Sequence, residues 1–475
     1  MAKESSGGFL SFAKSSLIFF VGNTLSKIIT VALLPLYTNT LSSTDFGYYD
    51  VSVTCVTLLT SFIYCDVWTS VMRFMRDDLR GEAPKVVIAS GWVIFGGSTA
   101  LYYAIGLVCG IFFEIPSLGL ILLYGTFLNL QSMFSYIARG WGDNICFAIS
   151  GIICSVVNVG LNIVMVAHLG WGYESLYVAS ILGSFAQCIF LFIALKMWKK
   201  FSLPNFKKIR ELFRYSAPLC LNSVAYWLLN SLGRVVISFT LSLSASGIFA
   251  VGSRFGSAIS LATTCFTYAW QDISFTPETR KNTFYSNAVT RYTVFLMDAL
   301  ALLLPTVSLF FPILVGMEYA ESYVVIPSFL AVAVLSAVST FIGNIFYVIK
   351  DTKTISKTMV VSCLFNVFLT YPLTAAFGIN GTNLATFTAF AINIVLRLII
   401  LKKKLMLNFN FRPIVGRATL VIFAYIVYTF NLLGLNIIFL IIGLCFFIWM
   451  YRTKIKVLAR AVFGGFYRGK RDQHE

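Results

Sequence analysis

Residues 196–214, KMWKKFSLPNFKKIRELFR, divide this chain. Phe206, Ile209, Leu212 and Phe213 recur there at helical spacing among lysines and arginines, the pattern of a helix lying in a membrane interface. On either side the sequence turns apolar. Of the 475 residues 58% are hydrophobic and only 12% charged, and the mean hydropathy is +0.83. A soluble domain carries about 25% charge, so most of this protein's surface meets something other than water. No stretch of soluble-domain length has ordinary composition, and the membrane part is therefore the whole protein.

Spans need about 17–25 apolar residues. Such stretches fall at 15–39, 46–72, 86–113, 117–138, 145–168, 173–195, 215–240, 246–271, 289–312, 323–349, 358–377, 380–401, 414–431 and 435–451. This predicts an all-α integral membrane protein with about fourteen transmembrane helices. The first apolar stretch, from Leu17 to about Tyr37, is too long for the core of a cleavable signal and lacks a small-residue cleavage site.

Charge placement sets the expected orientation. All but four of the 36 basic residues fall in alternate connections or at the two ends, with Arg291 and Arg417, just inside two of these stretches, counted with the adjoining basic loops. The remaining connections, near Asp45, Glu114, Glu174, Ser244, Glu318, Asn380 and Asn431, hold none. Lysine- and arginine-rich loops stay in the cytoplasm, so both termini are expected there. The net charge of +17 is then topogenic charge near anionic headgroups, and no nucleic-acid partner is implied.

The chain repeats after about 206 residues. Asn158-Val-Gly-Leu-Asn162, ending at Leu169-Gly170, runs alongside Asn366-Val-Phe-Leu-Thr370, ending at Phe377-Gly378. Asp143 precedes the first run and Asp351 the second. Ser43-Thr-Asp-Phe-Gly47 is similar to Ser244-Ala-Ser-Gly247. Two parallel six-helix bundles follow, residues 1–200 and 215–404. An amphipathic cytoplasmic linker, 201–214, joins them, and 405–475 add two unmatched helices and a basic tail. Parallel repeats are a transporter architecture with the cargo path between the halves.

A charge at mid-membrane costs about 2.5–3.5 kcal/mol on insertion scales and faces a wet cavity or a partner. Lys27, Arg254 and Arg234 are the candidates for a cationic cavity that binds an anionic substrate group, with internal pairing, for example Asp298 with Arg254, as the alternative. Arg397 lies close enough to the basic side to snorkel. Asp298 and Asp66 are candidates for proton or sodium coupling. The ten cysteines sit in apolar runs without a CxxC pair and read as small core residues, so no disulfide or metal site is expected. His168 and His474 have no metal-ligand neighbour at useful spacing. The phosphate-loop pattern GxxxxGK[ST] is absent, so no nucleotide cofactor is expected. The outer loops are too short for a catalytic site, and no enzyme is expected. Runs such as Gly91–Gly97 and Gly151–Ser155 are expected to let helices approach closely.

Leu25-Ser-Lys27-Ile28 through Pro35-Leu-Tyr37, Thr44-Asp-Phe-Gly47-Tyr48, Gly233-Arg234-Val-Val-Ile237, Ser246-Gly247-Ile-Phe-Ala-Val-Gly-Ser-Arg254 and Tyr323-Val-Val-Ile-Pro327 carry a family likeness. The chain resembles the polysaccharide (O-antigen, Wzx-like) flippases of the multidrug/oligosaccharidyl-lipid/polysaccharide exporter (MOP) superfamily. The resemblance implies that Lys27 and Arg254 face a central cavity. Its implied cargo is an undecaprenyl-pyrophosphate-linked oligosaccharide for O-antigen, lipopolysaccharide or capsule, delivered by alternating access to polymerase machinery. The family often has an Asp before the span-seven arginine; here Gly233 stands there, and a local Asp–Arg pair is lost. A lipid II flippase, a cation-coupled multidrug exporter and a membrane-bound polymerase or ligase are the rival readings.

Overall fold

The structure is a computed structural model that describes residues 33–77, 83–200, 202–274, 282–349, 351–407 and 409–471. Every regular element among these residues is helical. In chain order they are α1 (Leu34–Thr40), α2 (Ser43–Tyr64), α3 (Val67–Asp77), α4 (Ala83–Phe112), α5 (Leu118–Gly140), α6 (Asn144–Asn162, continued by a π-helical turn Ile163–His168) and α7 (Glu174–Ala194). The second half contributes α8 (Phe206–Thr240), α9 (Leu243–Ser274), α10 (Asn282–Leu314), α11 (Ser322–Val348), α12 (Thr352–Leu405), α13 (Arg412–Phe430) and α14 (Leu433–Arg471). Ten of the described helices are long and apolar enough to cross a membrane, and the protein is a multi-pass membrane protein. One of the ten, α12, contains two expected spans, 358–377 and 380–401, joined through Gly378 at φ 60°, ψ −142°. α8 and α9 are 35 and 32 residues long but fall outside the ten. Most of the first expected span lies outside the described residues.

The repeat is visible in local chemistry. Asp143 Oδ1 accepts from Cys146 N at 3.0 Å and Asp351 Oδ1 from Thr354 N at 3.2 Å, so both landmark aspartates satisfy free N–H groups at a helix start. Ser42 and Ser242 cap α2 and α9 alike, accepting from Asp45 N at 3.1 Å and Ala245 N at 3.0 Å. Gly170 and Gly378 both adopt positive φ, 62° and 60°, which glycine enters without steric cost. Inside the first half Gln187 Nε2 donates to Ser135 and Ser150, each at 3.1 Å. Inside the second, Asn393 accepts from Ser339 Oγ at 2.8 Å and donates to Thr358 O and Ser362 Oγ at 2.9 Å. Gln187 and Asn393 are themselves about one repeat apart.

Two compact units emerge, residues 1–275 with 315–398, and residues 276–314 with 399–475. In the first, α6 packs on α7, α7 on α5, and α9 on both α2 and α11. One core there gathers Tyr64, Val71, Met75, Tyr102, Met133 and Ile137, all fully buried. In the second, α10 packs against α13 and α14.

Four expectations change. Residues 206–214 form the first turns of α8, continuous with the span, where a separate interfacial helix was expected; Leu212 is fully buried and anchors them. Lys200, in the preceding turn, lies 4.1 Å from the Trp141 ring centroid, and burial draws its ammonium below the usual lysine value. Arg397 does not snorkel: it is 4% exposed and donates to Ser339 O at 2.6 Å and Thr358 Oγ1 at 3.1 Å. Arg417, counted with a basic loop, belongs to α13 and pairs with Asp298 at 2.9 Å. Of the small-residue runs, Gly91 fits tightly against Val71, whereas Gly96, Gly97 and Gly151 have no described neighbour within 4 Å of a Cβ position.

Candidate functional site

The landmark runs of the two halves meet each other. Ser43 Oγ and Ser244 Oγ share a hydrogen bond at 2.7 Å. A Cβ on Gly47 would collide with Leu243 O, and one on Gly247 with Ser43 O, so α2 and α9 touch backbone to backbone where only glycine fits. Glu318 Oε1 accepts from Ser43 N at 2.6 Å. The fully buried Tyr319 donates its hydroxyl to Leu41 O at 3.0 Å and Ser42 O at 2.9 Å. Together these contacts form a seal at the ends of the helices that carry no lysine or arginine.

Polar contacts continue down α8. Arg234 Nε lies 2.9 Å from Asp50 Oδ2, although its angle is not that of a hydrogen bond, and the attraction is chiefly coulombic. Trp227 Nε1 donates to Thr54 O at 3.1 Å and Thr57 Oγ1 at 3.2 Å, and Ser223 donates to Asp66. α8 is thus joined to α2 and to the break after it. At that break Cys65 and Asp66 both have positive φ, 49° and 51°. Consecutive left-handed residues without glycine are strained, and they end α2 two residues before α3 begins.

Beneath the seal lies a cavity of about 270 Å³. It is lined by Tyr37 of α1, Tyr49 of α2, Asn158 and Asn162 of α6, Ser180 of α7 and Arg254 of α9. Asn162 Nδ2 donates to Asn158 O and Oδ1 at 2.8 Å, and Asn158 Nδ2 to Ser180 Oγ at 3.1 Å. Arg254 is half-buried, and no carboxylate pairs with it among the described residues.

The expected site residues therefore separate. Arg254 lines the cavity. Arg234 is neutralised by Asp50, which restores from another helix the pairing that Gly233 removes locally. Asp50 lies four residues inside the expected second span; its position there was the available signal. Asp66 meets Ser223 at the helix break and has no described cationic partner. Asp298 pairs with Arg417, not Arg254, and accepts from Tyr451 at 3.0 Å. Lys27 lies outside the described residues. The asparagines were legible as a repeat, not as a cavity wall. Asn366, the counterpart of Asn158, is 1% exposed and bonds Leu229 O at 3.2 Å: one copy packs and the other faces space.

Paired helical repeats, a sealed end and a charged intramembrane cavity define a polytopic transporter fold. The fold is similar to that of the lipid II flippase MurJ in an inward closed conformation, with a TM-score of 0.71 and 16% identity, over 92% of this chain and 100% of that one. It is also similar to an inward-facing multidrug resistance MATE family transporter of the MOP superfamily, with a TM-score of 0.65 and 12% identity, over 80% of this chain and 96% of that one. A curated relative, the probable low-salt glycan biosynthesis flippase Agl15 of Haloferax volcanii, is 24% identical over 376 residues, 75% of this chain and 73% of that protein. The chain belongs to the polysaccharide biosynthesis protein family, whose model matches residues 12–270.

Proposed function

We propose that this protein is a flippase that moves an undecaprenyl-pyrophosphate-linked oligosaccharide, of the O-antigen or capsule kind, from the inner to the outer leaflet of the bacterial cytoplasmic membrane. The observation that carries the reading is Arg254, an intramembrane cation that lines a cavity with no described carboxylate partner. Uncompensated charge at that depth is costly, and a bound anion offsets the cost. A pyrophosphate is doubly suited, because guanidinium binds phosphate oxygens in bidentate fashion. The family membership and the glycan-flippase relative support a glycan cargo.

The cycle is alternating access. The seal between α2 and α9 closes the cavity on the side expected to face outward, and its release delivers the headgroup while the polyprenyl tail stays in lipid. Both termini are cytoplasmic in this scheme. Expelling an anion from a negative-inside cell gains about 2.3 kcal/mol per charge per 100 mV, so the membrane potential can drive export, with Asp66 as the candidate for an added proton or sodium step. Polymerase machinery would take the product.

The test is complementation of a deletion strain with wild type, Arg254→Ala or Arg254→Lys at matched membrane expression. We expect Arg254→Ala to lose surface polymer and accumulate the lipid-linked intermediate inside, and Arg254→Lys to keep part of the transport. A deletion that leaves polymer and intermediate unchanged would defeat this reading.

A further inference from the structure

The hydrogen bonds of the cavity run in one direction and leave one end open. Asn162 donates to Asn158, and Asn158 donates to Ser180. Asn162 is 2% exposed, lines the cavity, and its Oδ1 has no hydrogen-bond partner among the described residues. A buried acceptor left unmade is costly, and cavity asparagines are satisfied by ligand or water. The vacant valence is an acceptor. It takes an O–H or N–H and repels the ionised oxygens of a phosphate, which are acceptors only. Arg254 has the opposite character, five N–H donors and no acceptor. One small cavity therefore offers a place for an anion and a place for a donor that is not anionic.

We infer that this cavity is a subsite for a glycosyl phosphate, in which Arg254 holds the phosphate and Asn162 Oδ1 accepts from a hydroxyl or acetamido N–H of the first sugar. This deepens the flippase reading and rests on it for the role of Arg254. The volume sets the size of what enters. Ligand pockets run from about 300 to 1,000 Å³, and about 270 Å³ suits one sugar ring beside a phosphate. The remaining sugars of a repeat unit must lie outside this cavity. Tyr37 and Tyr49 also line the cavity and supply amphipathic ring surface, which matches the mixed polar and apolar faces of a pyranose. Recognition of the first sugar is thus assigned to α6 and recognition of charge to α9, one from each half of the repeat.

The test uses the full-length protein in nanodiscs and three soluble probes, glucose 1-phosphate, N-acetylglucosamine 1-phosphate and inorganic phosphate, with affinity read by calorimetry or by intrinsic fluorescence. In wild type at least one sugar phosphate should bind about tenfold tighter than phosphate. Asn162→Leu should abolish that preference and leave phosphate affinity unchanged, which also shows that the cavity is still formed. Asn162→Gln, which retains an acceptor, should keep part of the preference. Arg254→Gln should weaken all three probes together. Absence of any sugar preference in wild type, or an Asn162→Leu variant that loses phosphate and sugar phosphate equally, overturns the subsite. A sugar preference that Asn162 controls while Arg254→Gln changes nothing leaves the sugar contact standing and overturns the role of Arg254, so the two failures are distinguishable.

Discussion

Arg234 and Arg254 show why a charge count along a span does not assign roles. Both cost about the same to insert, yet Arg234 is spent on Asp50 and Arg254 is not. Breaking a buried pair by removing one partner costs about 3–5 kcal/mol. The Arg234 side chain is 25% exposed, so solvent screens the loss and about 1–2 kcal/mol is the better expectation for Asp50→Asn. That amount is enough to shift a two-state equilibrium about five- to thirtyfold. Because Asp50 and Arg234 join the two halves just below the seal, the shift should favour release of the sealed end. A cysteine placed at Ser244 should react several-fold faster with a membrane-impermeant maleimide in Asp50→Asn than in its absence. Equal rates would show that the pair does not hold the seal. Arg397 has a third outcome: a carbonyl and hydroxyls satisfy it inside the second half.

At the scale of elements, α2 and α9 meet through repeat-related residues, so the seal is a near-symmetric contact between two copies of one design. Gly47 and Gly247 permit the approach, and the hydroxyls of Ser43 and Ser244 mark its centre. Those two oxygens are 2.7 Å apart, close enough for a disulfide in their place. The double variant Ser43→Cys/Ser244→Cys should stop transport under oxidising conditions and recover it on reduction, measured as headgroup delivery in proteoliposomes. Continued transport by a fully oxidised sample would mean that α2 and α9 need not part. A bulkier intervention, Gly247→Val, should favour the opened seal, since overpacking a tight contact costs about 1–3 kcal/mol.

At the scale of the molecule, the two compact units carry different polar chemistry. The first holds the cavity and the repeat-related networks. The second holds the ion pair of Asp298 with Arg417 inside an apolar surround, framed by Tyr451 and by Phe446, whose ring lies 5.2 Å from the Arg417 guanidinium. Asp298 is 4% exposed, so its carboxylate needs that partner. Arg417→Met should lower the melting temperature of the purified protein by several degrees, and the double change Asp298→Asn/Arg417→Met should recover most of it, because a buried pair replaced as a unit is nearly neutral. A double variant that folds but cannot transport would return Asp298 to the coupling candidates.

Hydropathy and charge alone determined that this is a many-span helical membrane protein and where its basic connections lie, and matching residue runs that it repeats after about 206 residues. Those properties are additive along the chain, and each apolar stretch or aspartate cap declares itself locally. Arg254 also stood out as a candidate, because an isolated cation in a span is conspicuous whatever surrounds it. Only the tertiary structure decided which charges are satisfied. The partners of Arg234 and Asp298 lie more than a hundred residues away in sequence, and their distances depend on helix packing that no local pattern encodes. The same holds for Asn158 and Asn366, equivalent by repeat: one lines a cavity and the other is buried against α8, because the halves pack around them differently.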